Sequence, residues 1–202
     1  MSTRAMKALL VALGKEAAKT VRRPADPETV MHEFCRAMSV RRGKPVQLLF
    51  RAFPSDIPVS GMRLDCGERS LVVVDEGTVP EAQLVILGHE LWHEEQGDHG
   101  HGHGLPAAGR TLGTGHDVPR AVQRAAEAVL AAEEVPREAL HVVAARSAST
   151  DEHEVDAETF GLLFGREVRT WMTGRHAEGP VTTTTVEGRI NRSLINRRGR
   201  LL

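Results

Sequence analysis

Residues 89–93 read His-Glu-Leu-Trp-His, the one short stretch of this chain whose residue types and spacing specify a chemistry. Two histidines four apart on a helix project from one face, so their ring nitrogens can converge on a single cation. Neutral imidazole suits Zn2+. Glu90, one residue past the first ligand, can take a proton from a water beside the metal and pass it to a leaving amine. Apolar Leu84–Leu87 and Gly88 precede the motif, so its polar groups fall on a buried helix. There each needs a partner, and a metal supplies one for both rings. The alternative is a structural pair of hydrogen-bonded histidines.

A hydrolytic zinc site takes a third protein ligand, and two candidates compete. His99 stands six residues after His93, the offset of the pattern H-E-x-x-H-x-x-G-x-x-H. That pattern turns on a glycine where this chain has Gln96, and His99 belongs to a His-Gly run in which the offset arises readily by chance. Glu154 is preferred. Ala157, Glu158 and Gly161 follow it at offsets three, four and seven. Small residues on that stripe would let its helix press against the helix of the two histidines. Glu158 could then accept the free N–H of a ligand histidine. Asp151, Glu152, His153 and Asp156 are less favoured neighbours, and a merely solvated acidic face is the competing reading.

Elements must hold these groups in place. Leu9, Leu10, Leu13 and Ala17 predict a first helix over 4–20, and Val30, Phe34 and Met38 a second over 27–40. A basic turn over Arg41–Lys44 leads into β-like segments at Val46–Ala52, Val59–Leu64 and Ser70–Asp75. Pro54, Pro58, Gly61 and Gly67 separate them and suggest a small meander. Thr78 with Glu81 fits a capping box, with Pro80 in the first turn, and opens a helix to about Glu95. Gln96–His116 predicts a mobile loop. Further helices are expected from Asp117 to about Val135, over 137–146, and over 150–172, the last opened by Ser149 and Glu152.

Length and composition agree with one domain. The chain has 202 residues, 41% apolar and 26% charged, enough to bury a core and too apolar for wholesale disorder. With 26 basic and 27 acidic residues the net charge is −1, which argues against direct nucleic-acid binding. Cys35 and Cys66 are too few for a disulfide framework and read as reduced thiols. No apolar run is long enough to span a membrane. The short run Ala8–Gly14 lacks a cleavage site, so a cytoplasmic location is expected. Residues 1–178 read as a single domain and 179–202 as a basic tail.

His89–His93, followed about sixty residues later by Glu154-Val-Asp-Ala-Glu-Thr-Phe-Gly161, resembles the ImmA/IrrE metallopeptidase family. That family carries H-E-x-x-H and then E-x-x-A-N-x-F-A on a later helix. Glu154, Ala157 and Phe160 match the second motif, while Glu158 and Gly161 stand where the family has Asn and Ala. The likeness covers about residues 45–172 and extends to shorter members labelled as toxin components of toxin–antitoxin systems. It implies a cytoplasmic, zinc-dependent regulatory protease, often acting on or with a helix-turn-helix repressor or antitoxin.

The expected fold is α+β and zincin-like: a small, mostly antiparallel sheet, several helices, and the His89–His93 helix packed across the sheet. Zinc held by His89, His93 and Glu154, with Glu90 as general base and acid, would hydrolyse a peptide bond in a regulatory protein. A non-catalytic toxin-component-like module that keeps its zinc is the second reading. A metzincin-like protease using His99 is the third. The oxyanion partner is open among His116, His141, His153 and His176, since the chain has no tyrosine. The strand Ser70–Asp75, just before the active helix, is either a buried core strand or an edge able to pair with substrate. The loop of His99, His101 and His103 reads as flexible or as a lid, and the Arg-rich tail as a solvated terminus.

Overall fold

A computed structural model describes residues 3–53, 60–97 and 151–174. The expected loop from residue 98 on, the helices over 117–135 and 137–146, Ser149, His99 and the basic tail lie outside the described residues.

Helix α1 (Thr3–Ala17) buries Met6, Leu9, Leu13 and Ala17, one stripe at helical spacing. It packs against α2 (Pro27–Arg42). Asp26 caps α2, its carboxylate accepting from the amides of Glu28 and Thr29 at 3.0 and 3.3 Å, and Pro27 fills the first turn. Arg41 and Arg42, expected in a turn, form the last turn of α2, and the turn itself falls to Gly43 at φ 65°.

Strands β1 (Val46–Arg51), β2 (Gly61–Asp65) and β3 (Ser70–Asp75) form one sheet of order β1-β3-β2. β1 runs parallel to β3, with Val46 opposite Ser70, and β2 runs antiparallel to it, with Gly61 opposite Val74. The sheet is therefore mixed, not the mostly antiparallel meander expected. The four residues 66–69 can close a β2–β3 hairpin, whereas the β1–β2 connection is longer and carries Pro54 and Pro58 in its sequence. Leu71–Val74, apolar without alternation, take the central place, buried on both faces. β3 thus has no free edge, and the edge reading of this strand falls.

Helix α3 (Pro80–Gln96) crosses the sheet against β2 and β3, touches α2, and packs most extensively on α4 (Asp151–Val168). Its start differs from the expected capping box. Val79 is the capping residue, and the Thr78 hydroxyl donates to the Asp75 carbonyl at 2.8 Å. Pro80 sits at the helix start and needs no cap for an N–H it lacks. α4 ends in a short 3-10 turn, Arg169–Trp171. The α3–α4 contact is close because glycines line it: a β-carbon at Gly88 would stand 2.7 Å from Phe164 Cβ. Phe34, Phe160, Phe164 and Trp171 join the helices in one aromatic cluster. No helix among the described residues is long and apolar enough to cross a membrane.

Candidate metal centre

The α3–α4 junction places a cluster of ligating groups at its rim. His89 and His93, one turn apart on α3, hold their Nε2 atoms 3.1 Å from each other. The Glu154 carboxylate reaches across from the first turns of α4, with one oxygen 3.6 Å from His89 Nε2 and the other 3.7 Å from His93 Nε2. Ligand atoms of all three residues lie within 4.8 Å of one another.

Those separations can be tested against a cation. Three atoms each about 2.05 Å from a tetrahedral ion lie about 3.3 Å apart. The two ring nitrogens, 3.1 Å apart, come close to that value, and each faces a different Glu154 oxygen, at 3.6 and 3.7 Å, so the donor set fits Zn2+ once the carboxylate turns to bring one oxygen toward both rings. Two nitrogens and a carboxylate are also donors that zinc accepts.

Electrostatics favour the ligating form of His89. Burial, then the neighbouring His93, push its pKa down to about 4, against the opposing pull of the Glu154 carboxylate. At neutral pH His89 is an uncharged imidazole with a lone pair to give. Exposure is graded across the cluster: the His89 side chain is 7% accessible, His93 16% and Glu154 31%. The site is thus rooted in the core and open on the Glu154 side.

Small residues bring Glu154 in. Ala157 and Gly161, one and two turns on, are buried against α3. Glu158 is exposed and makes no hydrogen bond among the described residues, so it does not orient a ligand histidine. The buried stripe of α4 runs 157, 160, 161, 164, 165 and 168, and position 158 falls beside it. His153 is exposed on α4. His99, His116, His141 and His176 lie outside the described residues.

Glu90 is fully buried. It faces β2, where a β-carbon on Gly61 would lie 3.7 Å from Glu90 Oε1. The sequence reading missed a second carboxylate on this face. Glu94, also buried, is held by Arg63 of β2 at 3.1 Å and approached by Arg42 of α2 at 3.7 Å. The signal was available: Glu94 stands four residues after Glu90, on the face already assigned to the interior, where a carboxylate needs a basic partner.

No protein-family model, curated protein or solved structure matches this chain.

Proposed function

We propose that this chain is a zinc metallopeptidase of the ImmA/IrrE type, acting on a regulatory protein such as a helix-turn-helix repressor or antitoxin. The observation that carries the reading is the convergence of His89, His93 and Glu154 at the α3–α4 junction, with Glu90 on the same helix as the histidines. When bound, zinc would supply Lewis acidity toward a water and the scissile carbonyl.

The protein's own groups do the rest. His89 enters as a neutral donor because burial and His93 disfavour its protonation. Glu90 accepts the proton of the attacking water and returns it to the leaving amine. Substrate can be aligned by β2. The Asp75 amide donates to the Ser60 carbonyl at 2.9 Å, which makes Gly61 and Val74 a pair without mutual hydrogen bonds. The N–H and C=O of Gly61 and Arg63 therefore point away from β3, along an edge that starts beside Glu90. An extended peptide can add to that edge as a further strand.

The test compares wild type with Glu90→Gln, expressed in the same cells, by mapping new protein amino termini. Zinc content of both purified proteins is measured alongside. New termini should appear with wild type alone, while both proteins hold zinc. If both hold zinc and neither produces new termini, peptidase activity is wrong, and a metal-stabilised binding module replaces it.

A further inference from the structure

His93 sits three residues before the last residue of α3, Gln96, where a helix has lost part of its hydrogen-bond ladder and tends to fray. A metal ligand needs its side chain fixed to within about 0.5 Å, so something must hold this turn. The next residue, Glu94, is 2% exposed. Arg63 Nη1 lies 3.1 Å from one of its oxygens and Arg42 Nε 3.7 Å from the other. The Arg63 side chain is itself 11% exposed. Around this pair, Arg42 donates to the Glu95 carbonyl at 3.4 Å, and Arg41 reaches both Glu95 carboxylate oxygens at 2.7 and 2.5 Å. The terminal turn of α3 is therefore tied to β2 on one side and to the end of α2 on the other.

The β2 attachment has a matching period. Gly61 faces Glu90 and Arg63 holds Glu94, two residues along the strand against one turn along the helix. Those steps are about 6.6 Å and about 6 Å long, so strand and helix stay in step beside the metal ligands. Stability alone gives no reason for such an arrangement. A buried ion pair commonly contributes no more than an apolar pair of equal volume, and what it adds is a defined geometry.

We propose that Arg63, assisted by Arg42, is a positioning residue for His93: through Glu94 it fixes the last turn of α3 so that the imidazole faces His89 and Glu154. The inference rests on the metal-site reading above.

The experiment uses the full chain and zinc or Co2+ as the probe. In the double variant Arg63→Met/Glu94→Leu the ion pair is replaced by apolar side chains of similar size, which should leave the unfolding midpoint of the metal-free protein nearly unchanged. Zinc affinity, measured by chelator competition, should fall about 10- to 100-fold. The visible absorption of the Co2+ form should change shape, a reading that a purely structural pair would not move. If the double variant fails to fold cooperatively, Glu94→Gln, which keeps the shape, is read the same way. His89→Ala is the control for the site itself and should lose zinc. Retention of zinc by His89→Ala overturns the metal centre. Loss in that control, together with wild-type affinity and spectrum in the charge-removing variant, overturns the positioning role alone.

Discussion

Gly161 on α4 lies so close to Val85 on α3 that a β-carbon there would stand 2.6 Å from the Val85 carbonyl oxygen. The same carbon would be 3.2 Å from the His89 amide nitrogen. Neither neighbour is a flexible side-chain end, so the backbone itself would have to move. Gly161→Ala should therefore separate the helices that carry the ligands. We expect a stability loss of about 1–3 kcal/mol from overpacking, together with weaker zinc binding because Glu154 travels with α4. Thermal unfolding and zinc titration check both, and unchanged zinc affinity would place Glu154 outside the ligand set.

The third ligand is decided by a pair of single substitutions. Glu154→Ala removes the carboxylate that faces both rings at 3.6 and 3.7 Å. We expect zinc in this variant to fall well below stoichiometric after dialysis, whereas His99→Ala should retain it. The reverse result would favour the metzincin-like arrangement.

How much of this was legible in sequence depends on the range of the interaction concerned. The α2 start follows from neighbours in the chain, Asp26 and Pro27, whereas its end was placed two residues early because Arg41 and Arg42 were read into the Gly43 turn. His89 and His93 share one element and one face, so their convergence needed no tertiary information. Glu154 required two helices to dock, which the small residues Ala157 and Gly161 signalled. Sheet order was harder. Pairing β1 with β3, which skips β2 in the sequence, is a long-range event, foreshadowed only by the unbroken apolar run Leu71–Val74. The Thr78 cap failed because its hydroxyl had a competing acceptor in the turn, the Asp75 carbonyl. The Arg63–Glu94 pair escaped notice because it joins residues 31 positions apart.

Acid sensitivity should be traceable to the turn between β2 and β3. Burial would raise the Asp65 pKa. The Lys44 ammonium at 2.6 Å and the Gly67 amide at 2.9 Å outweigh it, and hold the carboxyl below its ordinary value. A carboxylate with a lowered folded pKa stabilises the fold at pH above its unfolded value, and that contribution disappears as pH falls through the folded value. Asp65→Asn should thus be less stable than wild type near neutral pH, with the gap closing as pH falls below the ordinary carboxylate range. Urea unfolding across this range measures it, and a gap independent of pH would remove Asp65 from the acid response.

The two cysteines offer a readout that couples metal binding to the fold. Cys35 is 1% exposed among the core residues of α2. Burial, and then the negative charge of Glu94, push its thiol far above the ordinary range. Cys66 is only half-buried beside the β2–β3 turn, and its thiol is raised chiefly by that partial burial. The thiolate is the reactive form, so an alkylating reagent should modify Cys66 in the folded protein and Cys35 only when the fold opens. A ligand that binds the folded state alone lowers the open population in proportion to its saturation. Free zinc at about 100 times its dissociation constant should therefore slow Cys35 modification by up to about 100-fold. Cys66 should be little affected and serves as the internal reference. Mass spectrometry of the two peptides over time follows both rates, and no protection of Cys35 by zinc would mean that the metal does not bind the folded junction of α3 and α4.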